Sequence, residues 1–215
     1  MNTTHNGKIV PQVHNIFSVP IFVTHLKGIT DKLKIKDLLE RELAENRKEE
    51  VKPWDIEQTN PNLHTKEEFD GFCRVIKKLV SGISENIMEF DGGYSAEITS
   101  MWGNRQPYSA HFRRHTHHNN LFSGVFYPDE NKEFPPINFY RPLYSDFAPT
   151  VSKNNRYNSG MSRMPTKKDH LIIFPSWLEH DIPSNPSKED RFSISFNVMM
   201  RGKYQKNKTN QSTIF

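Results

Sequence analysis

The sequence has 215 residues, with 29 Lys and Arg against 25 Asp and Glu, so its formal net charge is +4 at pH 7. This length suits one domain with a substantial core, and an aromatic content of 12% supplies large side chains for that core. Basic residues do not alternate with aromatic ones along any stripe, so nucleic acid is not the leading partner.

The single cysteine, Cys73, excludes a disulfide within the chain and indicates a reducing compartment. Because it lies in an amphipathic helical pattern, we expect a buried structural side chain rather than a nucleophile. The N-terminal residues lack an apolar segment, and no run of about 18 apolar residues occurs. We therefore expect neither a signal peptide nor a membrane span, and a cytoplasmic location.

The first part of the chain predicts a strand and a short helix. Residues 16–25 read as a strand interrupted by Pro20, which indicates an edge strand or a bulge. Residues 31–42 predict a helix. Residues 47–63 are charged and then rich in Pro and Asn, and predict a loop.

A longer helix is predicted next. Thr65 and Glu68 have the spacing of a capping box, and Asp91-Gly-Gly93 is expected to end the helix. Apolar residues recur between these signals at helical spacing: Phe69, Phe72, Ile76, Val80, Ile83 and Ile87.

From Tyr94 the sequence changes to short apolar runs separated by Gly, Pro, Asn and Asp. The predicted strands are 96–102, 121–127, 137–140, 170–174 and 192–199. The polar run 146–166 predicts a long loop or a hairpin lid. Helices followed by many strands indicate an α+β protein whose strands form a sandwich or jelly roll.

Four of the ten histidines fall within eight residues: His111, His115, His117 and His118. A His-x-His pair at the start of a strand places both imidazoles on one face, because side chains alternate with period two. Imidazole is the commonest protein ligand of first-row transition metals. The sequence therefore predicts a metal site that includes His115 and His117.

A second signal lies in the C-terminal half. His180 follows a buried strand and a proline turn, and Arg191 opens an alternating strand eleven residues later. A facial triad of ligands holds Fe(II) and leaves positions open for a bidentate oxo-acid and O₂. An arginine on the next strand can hold the far carboxylate of that acid with its bidentate fork.

These segments resemble the 2-oxoglutarate/Fe(II)-dependent oxygenase family of bacteria and marine phages, whose pattern runs HxHP…SGVYY…FPSWLxH…RxSISFN. The matching residues are His115-Thr-His117, Ser123-Gly-Val-Phe-Tyr127, Phe174-Pro-Ser-Trp-Leu-Glu-His180 and Arg191-Phe-Ser-Ile-Ser-Phe-Asn197. The segments Phe17-Ser-Val-Pro-Ile-Phe-Val23 and Trp102-Gly-Asn104 also resemble the family, so the resemblance covers most of the chain.

The resemblance implies a double-stranded β-helix, a jelly-roll or cupin-like barrel with N-terminal helices packed on one sheet. We expect a single domain, 1–215. Within it, 1–93 would support the barrel, 94–200 would form its core and 201–215 would be a basic polar tail.

The resemblance also implies a non-haem dioxygenase that uses Fe(II), 2-oxoglutarate and O₂, hydroxylates an unidentified substrate and releases succinate and CO₂. His115, His117 and His180 would bind the metal, and Arg191 would hold the distal carboxylate of 2-oxoglutarate. The cytoplasm would be the host's if a phage encodes the chain. A homodimer is one option for the assembly.

Four further residues are candidates for binding the co-substrate. Ser123 and Tyr127 share one face of their strand, so they can hydrogen-bond 2-oxoglutarate if that face lines the barrel. Asn104 and Asn197 are similar, weaker candidates.

The chain departs from the family pattern at two points. His118 stands where the pattern has proline, and no Asp or Glu occurs between positions 108 and 129. Three alternatives follow. His117 can replace the usual carboxylate, or two histidines can bind the metal with water or an anion in the third ligand position. Alternatively, His117 and Asn119 form the ligand pair and His115 is not a ligand. A triad of three neutral histidines leaves the site one charge unit more positive than a triad of two histidines and one carboxylate. This favours a dianionic co-substrate and raises the reduction potential of the iron.

Other interpretations remain open for several residues. His111 and His118 fit a polar loop or a role near the substrate. Arg113 and Arg114 can attract an anionic substrate or be ordinary surface residues. Arg191 can instead form an ion pair with a neighbouring acid, Glu189 or Asp190, although an exposed pair contributes little.

Two alternative functions also remain. One is a cupin-like dioxygenase that uses three histidines without 2-oxoglutarate. The other is a non-catalytic jelly-roll module with a binding or structural role.

Overall fold

The computed structural model describes residues 18–45, 52, 55–91, 93–142 and 149–204, with the short strand segments 4–5, 8–9 and 213–214. The N-terminal elements are strands β1 (Thr4–His5), β2 (Lys8–Ile9) and β3 (Phe22–His25), helices α1 (Ile29–Lys32) and α2 (Ile35–Glu45), strand β4 (Glu57–Gln58), the 3₁₀ turns Leu63–Thr65 and Glu67–Phe69, and helix α3 (Asp70–Asn86).

Strands dominate the rest of the described chain. They are β5 (Ser95–Gln106), β6 (Phe112–His115), β7 (Phe122–Tyr127), β8 (Ile137–Tyr140), β9 (Met161–Met164), β10 (His170–Pro175), β11 (His180–Ile182), β12 (Arg191–Arg201), β13 (Lys203–Tyr204) and β14 (Thr213–Ile214). The protein is therefore mostly β with few helices.

Two antiparallel sheets carry the site. The larger has the strand order β3-β10-β7-β12-β5-β4, and the smaller has the order β6-β11-β8-β9. From β5 to β12 the chain passes repeatedly from one sheet to the other, so neighbours in each sheet are distant in sequence. The pairs β1–β2 and β13–β14 form two small separate sheets.

Strand β12 has two different faces because its side chains alternate. Its apolar face, with Phe192, Ile194 and Phe196, belongs to the cluster that the helices complete. Its other face, with Arg191 and Ser193, points away from this cluster. Each large apolar side chain that is fully buried contributes about 1.5–3 kcal/mol, so the helical layer fixes which face of β12 is free to build a site.

The helical layer buries the apolar stripe predicted for α3 except for its last residue, Ile87, which lies beyond the helix and is exposed. Phe69, Phe72, Ile76, Val80 and Ile83 are buried. A second cluster includes apolar residues of strands β7, β10, β8 and β11 and so joins the two sheets. Among the described helices, none combines the length and apolar character needed to cross a bilayer.

Cys73 lies on α3 and is buried. Burial raises the pKa of its thiol to about 11. Because the thiolate is the nucleophile, this suppresses reactivity. The prediction of a structural cysteine is confirmed.

The first predicted strand is shorter than expected. Strand β3 starts at Phe22, after Pro20, and residues 16 and 17 lie outside the described residues. It is an edge strand that pairs with β10 alone, so that part of the prediction is confirmed.

The helix predicted over 31–42 is divided. Helix α1 ends at Lys32 and α2 starts at Ile35, and between them Lys34 has a φ of 49°. A residue in this left-handed region cannot continue a right-handed helix. The apolar spacing did not reveal the break.

The capping-box prediction is wrong. Thr65 ends a 3₁₀ turn and its hydroxyl donates to the carbonyl of Asn62, at 2.8 Å. Helix α3 begins at Asp70 and has no side-chain cap. It ends at Asn86, well before the predicted Asp91-Gly-Gly93.

Strands β4, β6, β9 and β11 have four residues or fewer and were not predicted. Strand β4 lies in the predicted loop 47–63, and β9 lies in the predicted loop 146–166. These segments are too short and polar to show alternation, and their pairing with neighbours in the sheet determines their conformation.

Gly124 on β7 lies opposite Phe196 on β12. An added Cβ would lie 2.2 Å from the ring of Phe196. We expect Gly124→Ala to destabilise the protein by about 1–3 kcal/mol through overpacking, measured as a lower melting temperature.

Gly82→Ala on α3 is the matched control, because its Cβ would meet only Asn86 Nδ2, at 4.0 Å. This change should stabilise the helix by about 0.5–1 kcal/mol. An unchanged melting temperature for Gly124→Ala would show that β7 and β12 are not packed this closely.

Candidate metal centre

Three histidines converge at one end of the smaller sheet. His115 ends β6 and is the strand partner of His180, which starts β11. His117 lies just beyond β6, where its backbone N–H donates to the carbonyl of Ser176, at 2.9 Å. One ring nitrogen from each of the three lies within 4.8 Å of the others, and the Nε2 atoms of His117 and His180 are 3.3 Å apart.

Backbone carbonyls fix which nitrogen of two rings faces the centre. His115 Nδ1 lies 2.6 Å from the carbonyl oxygen of Arg113, and His180 Nδ1 lies 2.9 Å from that of Leu178. A carbonyl oxygen only accepts, so both Nδ1 atoms carry the proton. Each Nε2 lone pair is then free for a metal ion, the orientation that ligating histidines usually have.

Burial keeps two of the imidazoles neutral. Burial and the neighbouring His180 lower the pKa of His117 to about 3. Burial also lowers the pKa of His180 to about 4. Both rings are unprotonated at pH 7 and need lose no proton to bind a metal.

Aromatic rings surround the inner side of this group. The ring centroid of Trp102 is 5.8 Å from that of His117, and the centroid of Phe174 is 4.7 Å from that of His180. His180 is buried, whereas His115 is exposed. A metal held here is therefore shielded on one side and open to solvent on the other.

No carboxylate joins the three histidines among the described residues. Asp181 follows His180, but it lies on the opposite face of β11 and accepts hydrogen bonds from Asn138 Nδ2 (2.8 Å) and the Tyr140 hydroxyl (2.6 Å). Asn119 is exposed with a left-handed φ of 60°. Three imidazole ligands suit a first-row divalent metal such as Fe(II).

A narrow pocket leads inward from the histidines. Asn104 lies on its wall beside Ser193 and Ser195, and Asn104 Nδ2 donates to the hydroxyls of Ser193 (3.2 Å) and Ser195 (3.1 Å). Strands β5 and β12 pair in a register that sets Ser195 opposite Trp102, Ser193 opposite Asn104 and Arg191 opposite Gln106. The same row of inward side chains thus runs from the histidines to Arg191.

Arg191 is fully buried. The acid that acts on it electrostatically is Asp129, but the Asp129 carboxylate forms its ion pair with Lys36, at 3.1 Å. Arg191 Nη1 donates to Gln106 Oε1 at 3.0 Å, and its Nε donates to the hydroxyl of Thr166 at 3.3 Å. Its Nη2 has no hydrogen-bond partner. The neighbouring acid Asp190 accepts instead from Arg105, at 2.7 Å, so the alternative pairing of Arg191 with Asp190 is wrong.

Tyr127 supplies a second unpaired polar group at this position. The guanidinium of Arg191 lies 4.7 Å from the centroid of the Tyr127 ring, and the Tyr127 hydroxyl is buried without a hydrogen-bond partner. Burial raises the pKa of Tyr127, so the hydroxyl keeps its proton and can donate. Arg191 Nη2 and the Tyr127 hydroxyl are thus two buried donors without an acceptor, and one carboxylate can accept from both.

Gln106 and Thr166 orient Arg191, and the sequence analysis did not identify them. Gln106 Nε2 donates to the carbonyls of Ala110 (2.8 Å) and Pro183 (2.9 Å), which leaves Oε1 facing Arg191. The alternation of Trp102, Asn104 and Gln106 along one strand is a signal that could have found Gln106. Thr166 lies in a predicted loop and carried no signal.

Ser123 and Asn197 do not line this pocket. The Ser123 hydroxyl donates to Asn197 Oδ1 at 2.7 Å and lies 2.8 Å from the Ser176 hydroxyl. Asn197 Nδ2 donates to the hydroxyl of Ser100 at 3.0 Å. Their polar atoms therefore bond to one another. His111 and His118 are exposed and lie outside the histidine group.

One known protein family matches the part of the chain that carries the histidines. Residues 100–197 match the family described as "Putative 2OG-Fe(II) oxygenase". The match contains the three histidines, Tyr127 and Arg191. This segment is therefore similar to that family over less than half of the chain. No curated protein sequence matches the chain.

Solved structures show the same fold at low sequence identity. A prolyl-4-hydroxylase from Pseudomonas putida has a TM-score of 0.58 and 14% identity, covering 85% of this chain and 93% of that one. HygX from Streptomyces hygroscopicus, with nickel, 2-oxoglutarate and hygromycin B bound, has a TM-score of 0.58 and 12% identity, covering 84% and 83%. The alpha ketoglutarate dependent carbocyclase SnoK from nogalamycin biosynthesis has a TM-score of 0.60 and 10% identity, covering 91% and 87%.

We expect His180→Ala to weaken Fe(II) binding by more than about 100-fold, because loss of a ligand costs more than loss of a ligand's supporting group. Anaerobic calorimetric titration with Fe(II) measures this. His118→Ala, an exposed histidine outside the group, is the control and should bind as wild type. Equal affinity in the two variants would exclude His180 as a ligand.

Proposed function

We propose that the protein is a dioxygenase that binds Fe(II) through His115, His117 and His180 and hydroxylates an unidentified substrate. 2-Oxoglutarate would bind between the histidines and Arg191. Bound Fe(II) would supply the site at which O₂, the oxidant, reacts: one oxygen atom would enter the substrate as a hydroxyl group, and the other would enter succinate, which forms with CO₂ from 2-oxoglutarate.

One observation carries this proposal: the buried Arg191, whose Nη2 has no hydrogen-bond partner, lies on the same face of β12 as Ser193 and Ser195, which line the histidine pocket. A buried charge without a partner is costly. A dianionic acid that reaches Arg191 with one carboxylate supplies the missing acceptors for Arg191 Nη2 and the Tyr127 hydroxyl.

The span of the pocket supports a short dicarboxylic acid. Ser195, opposite Trp102 near the histidines, and Arg191 are four residues apart on one strand, which corresponds to about 13 Å between their Cα atoms. The long Arg191 side chain shortens this gap. Asn104 lies between the two ends. Its Nδ2 hydrogens bond to the hydroxyl oxygens of Ser193 and Ser195, so these two hydroxyl groups keep their own hydrogens to donate to the acid.

The residues around the histidines would orient the reaction. The carbonyls of Arg113 and Leu178 hold two rings with Nε2 towards the metal. Trp102 and Phe174 exclude water from the inner side. The exposed side at His115 leaves a path for the substrate.

We also propose that the eight strands β5 to β12 form a double-stranded β-helix, or jelly roll. Their order supports this, because the chain alternates between two four-stranded layers that face each other across one apolar cluster. In this proposal residues 1–93 support the barrel, 94–200 form it and 201–215 are a polar tail.

A cupin-like dioxygenase without 2-oxoglutarate is the second candidate, because the three-histidine group contains no carboxylate. Such an enzyme has no use for a buried cation at the inner end of the pocket. Arg191 and Tyr127 therefore favour the 2-oxoglutarate enzyme.

Two substitutions separate binding of 2-oxoglutarate from binding of iron. Tyr127→Phe removes one donor to the carboxylate and should raise the KM for 2-oxoglutarate about tenfold. Arg191→Gln should abolish succinate formation. Fe(II) affinity should be largely retained in both, since neither residue touches the metal group.

Arg105→Gln is the control, because Arg105 lies on β5, next to β12, but pairs with Glu57 and Asp190 on the surface. It should form succinate at the wild-type rate. Succinate formation by Arg191→Gln at the wild-type rate would contradict the proposal that Arg191 binds 2-oxoglutarate.

A further inference from the structure

One turn, residues 176–179, holds two of the three histidines. It connects β10 in the larger sheet with β11 in the smaller sheet. The carbonyl of Ser176 accepts from the backbone N–H of His117, at 2.9 Å. The carbonyl of Leu178 accepts from Nδ1 of His180, also at 2.9 Å. The positions of both rings therefore depend on the position of this turn.

Backbone hydrogen bonds attach both ends of the turn. At its start, the N–H of Ser176 donates to the carbonyl of Leu121, just before β7, at 3.1 Å. At its end, the carbonyl of Glu179 accepts from the N–H of Tyr140 on β8, at 2.9 Å. Ser176 thus has one backbone bond to the larger sheet, and its side chain supplies a second attachment.

The hydroxyl of Ser176 begins a chain of side-chain hydrogen bonds. Asn197 Oδ1 can only accept, so the Ser123 hydroxyl gives its one hydrogen to Asn197, at 2.7 Å. The Ser176 hydroxyl, 2.8 Å from Ser123 Oγ, must then be the donor to Ser123. Asn197 Nδ2 donates to the hydroxyl of Ser100, at 3.0 Å, which sets the orientation of the amide. The chain runs in one direction, from the turn through β7 and β12 to β5.

The three side chains nearest the turn are buried and belong to the sheet. Ser176 is 0% exposed, Ser123 1% and Asn197 7%, so a polar atom that loses its partner here has little access to water. Ser123 is the strand partner of Asn197 on β12 and of Phe174 on β10. None of the three serine and asparagine side chains lines the histidine pocket, and their hydrogen bonds lead to the turn instead.

We propose that Ser123, Ser176 and Asn197 are positioning residues for the metal ligands, because their hydrogen bonds fix the turn whose carbonyls hold His117 and His180. This rests on the proposed function, in which these two histidines bind iron. It also gives a role to one polar residue in each of three segments that resemble the family pattern.

Titration with Co(II), followed by its visible absorption, tests the proposal. Ser176→Ala and Ser123→Ala should each weaken Co(II) binding about 10- to 100-fold, the usual effect of removing a group that supports a metal ligand. Ser84→Ala on α3 is the matched control. It also removes the hydroxyl of a buried serine, which contacts Met200 Sδ at 3.6 Å in the helical layer, and it should bind Co(II) as wild type.

The double variant Ser123→Ala/Ser176→Ala tests whether the two serines act through one hydrogen bond. Each single substitution removes the bond between them, so the double variant should lose no more Co(II) affinity than the weaker-binding single variant. Losses that multiply would mean that the serines act independently, which would overturn the proposal.

Hydrogen exchange of the His117 amide separates positioning from a general loss of stability. In the metal-free protein, this amide should exchange about fivefold faster in Ser176→Ala than in wild type, relative to the amide of Ile194 in the central strand β12. The ratio should not change in Ser84→Ala.

Two results would overturn the proposal: an unchanged exchange ratio in Ser176→Ala, or Co(II) affinities of both serine variants equal to that of Ser84→Ala. Succinate formation by the wild type with Fe(II) and 2-oxoglutarate, measured separately, shows whether the proposed function itself holds.

Discussion

The buried guanidinium of Arg191 is the constraint on which the site depends. Desolvation of a cation costs several kcal/mol, and Gln106 and Thr166 supply dipoles but no negative charge. Tyr127 adds its ring and an unpaired hydroxyl. The protein therefore has two buried donors, Arg191 Nη2 and the Tyr127 hydroxyl, to which a carboxylate from outside can bind. A ligand that binds them stabilises the folded protein, because it binds the folded state alone.

The pairing of β12 with β5 places this cation. Apolar residues on one face of β12 pack against the helical layer, so Arg191, Ser193 and Ser195 must face the other way. A slip of one residue would exchange the two faces. The same register sets Gln106 opposite Arg191 and Trp102 near His117. One strand pairing thus aligns the side chains beside the histidines with those around Arg191.

Much of this could be predicted from the sequence, and the exceptions have physical reasons. His115, His117 and His180 were identified from their spacing, and their convergence is confirmed. Short strands such as β6 and β11 were missed because three or four polar residues show no periodicity. Gln106 and Thr166 were missed because each acts through contacts made only in the folded chain, and Ser123 was assigned to the co-substrate although its hydroxyl bonds to Asn197.

The most direct test of the account is the visible absorption of the protein loaded anaerobically with Fe(II) and titrated with 2-oxoglutarate. Chelation of iron by the keto acid gives a weak charge-transfer band. We predict a band that saturates with 2-oxoglutarate and is absent with Fe(II) alone. Iron that binds to the histidines but gives no band at any concentration of 2-oxoglutarate would contradict the account.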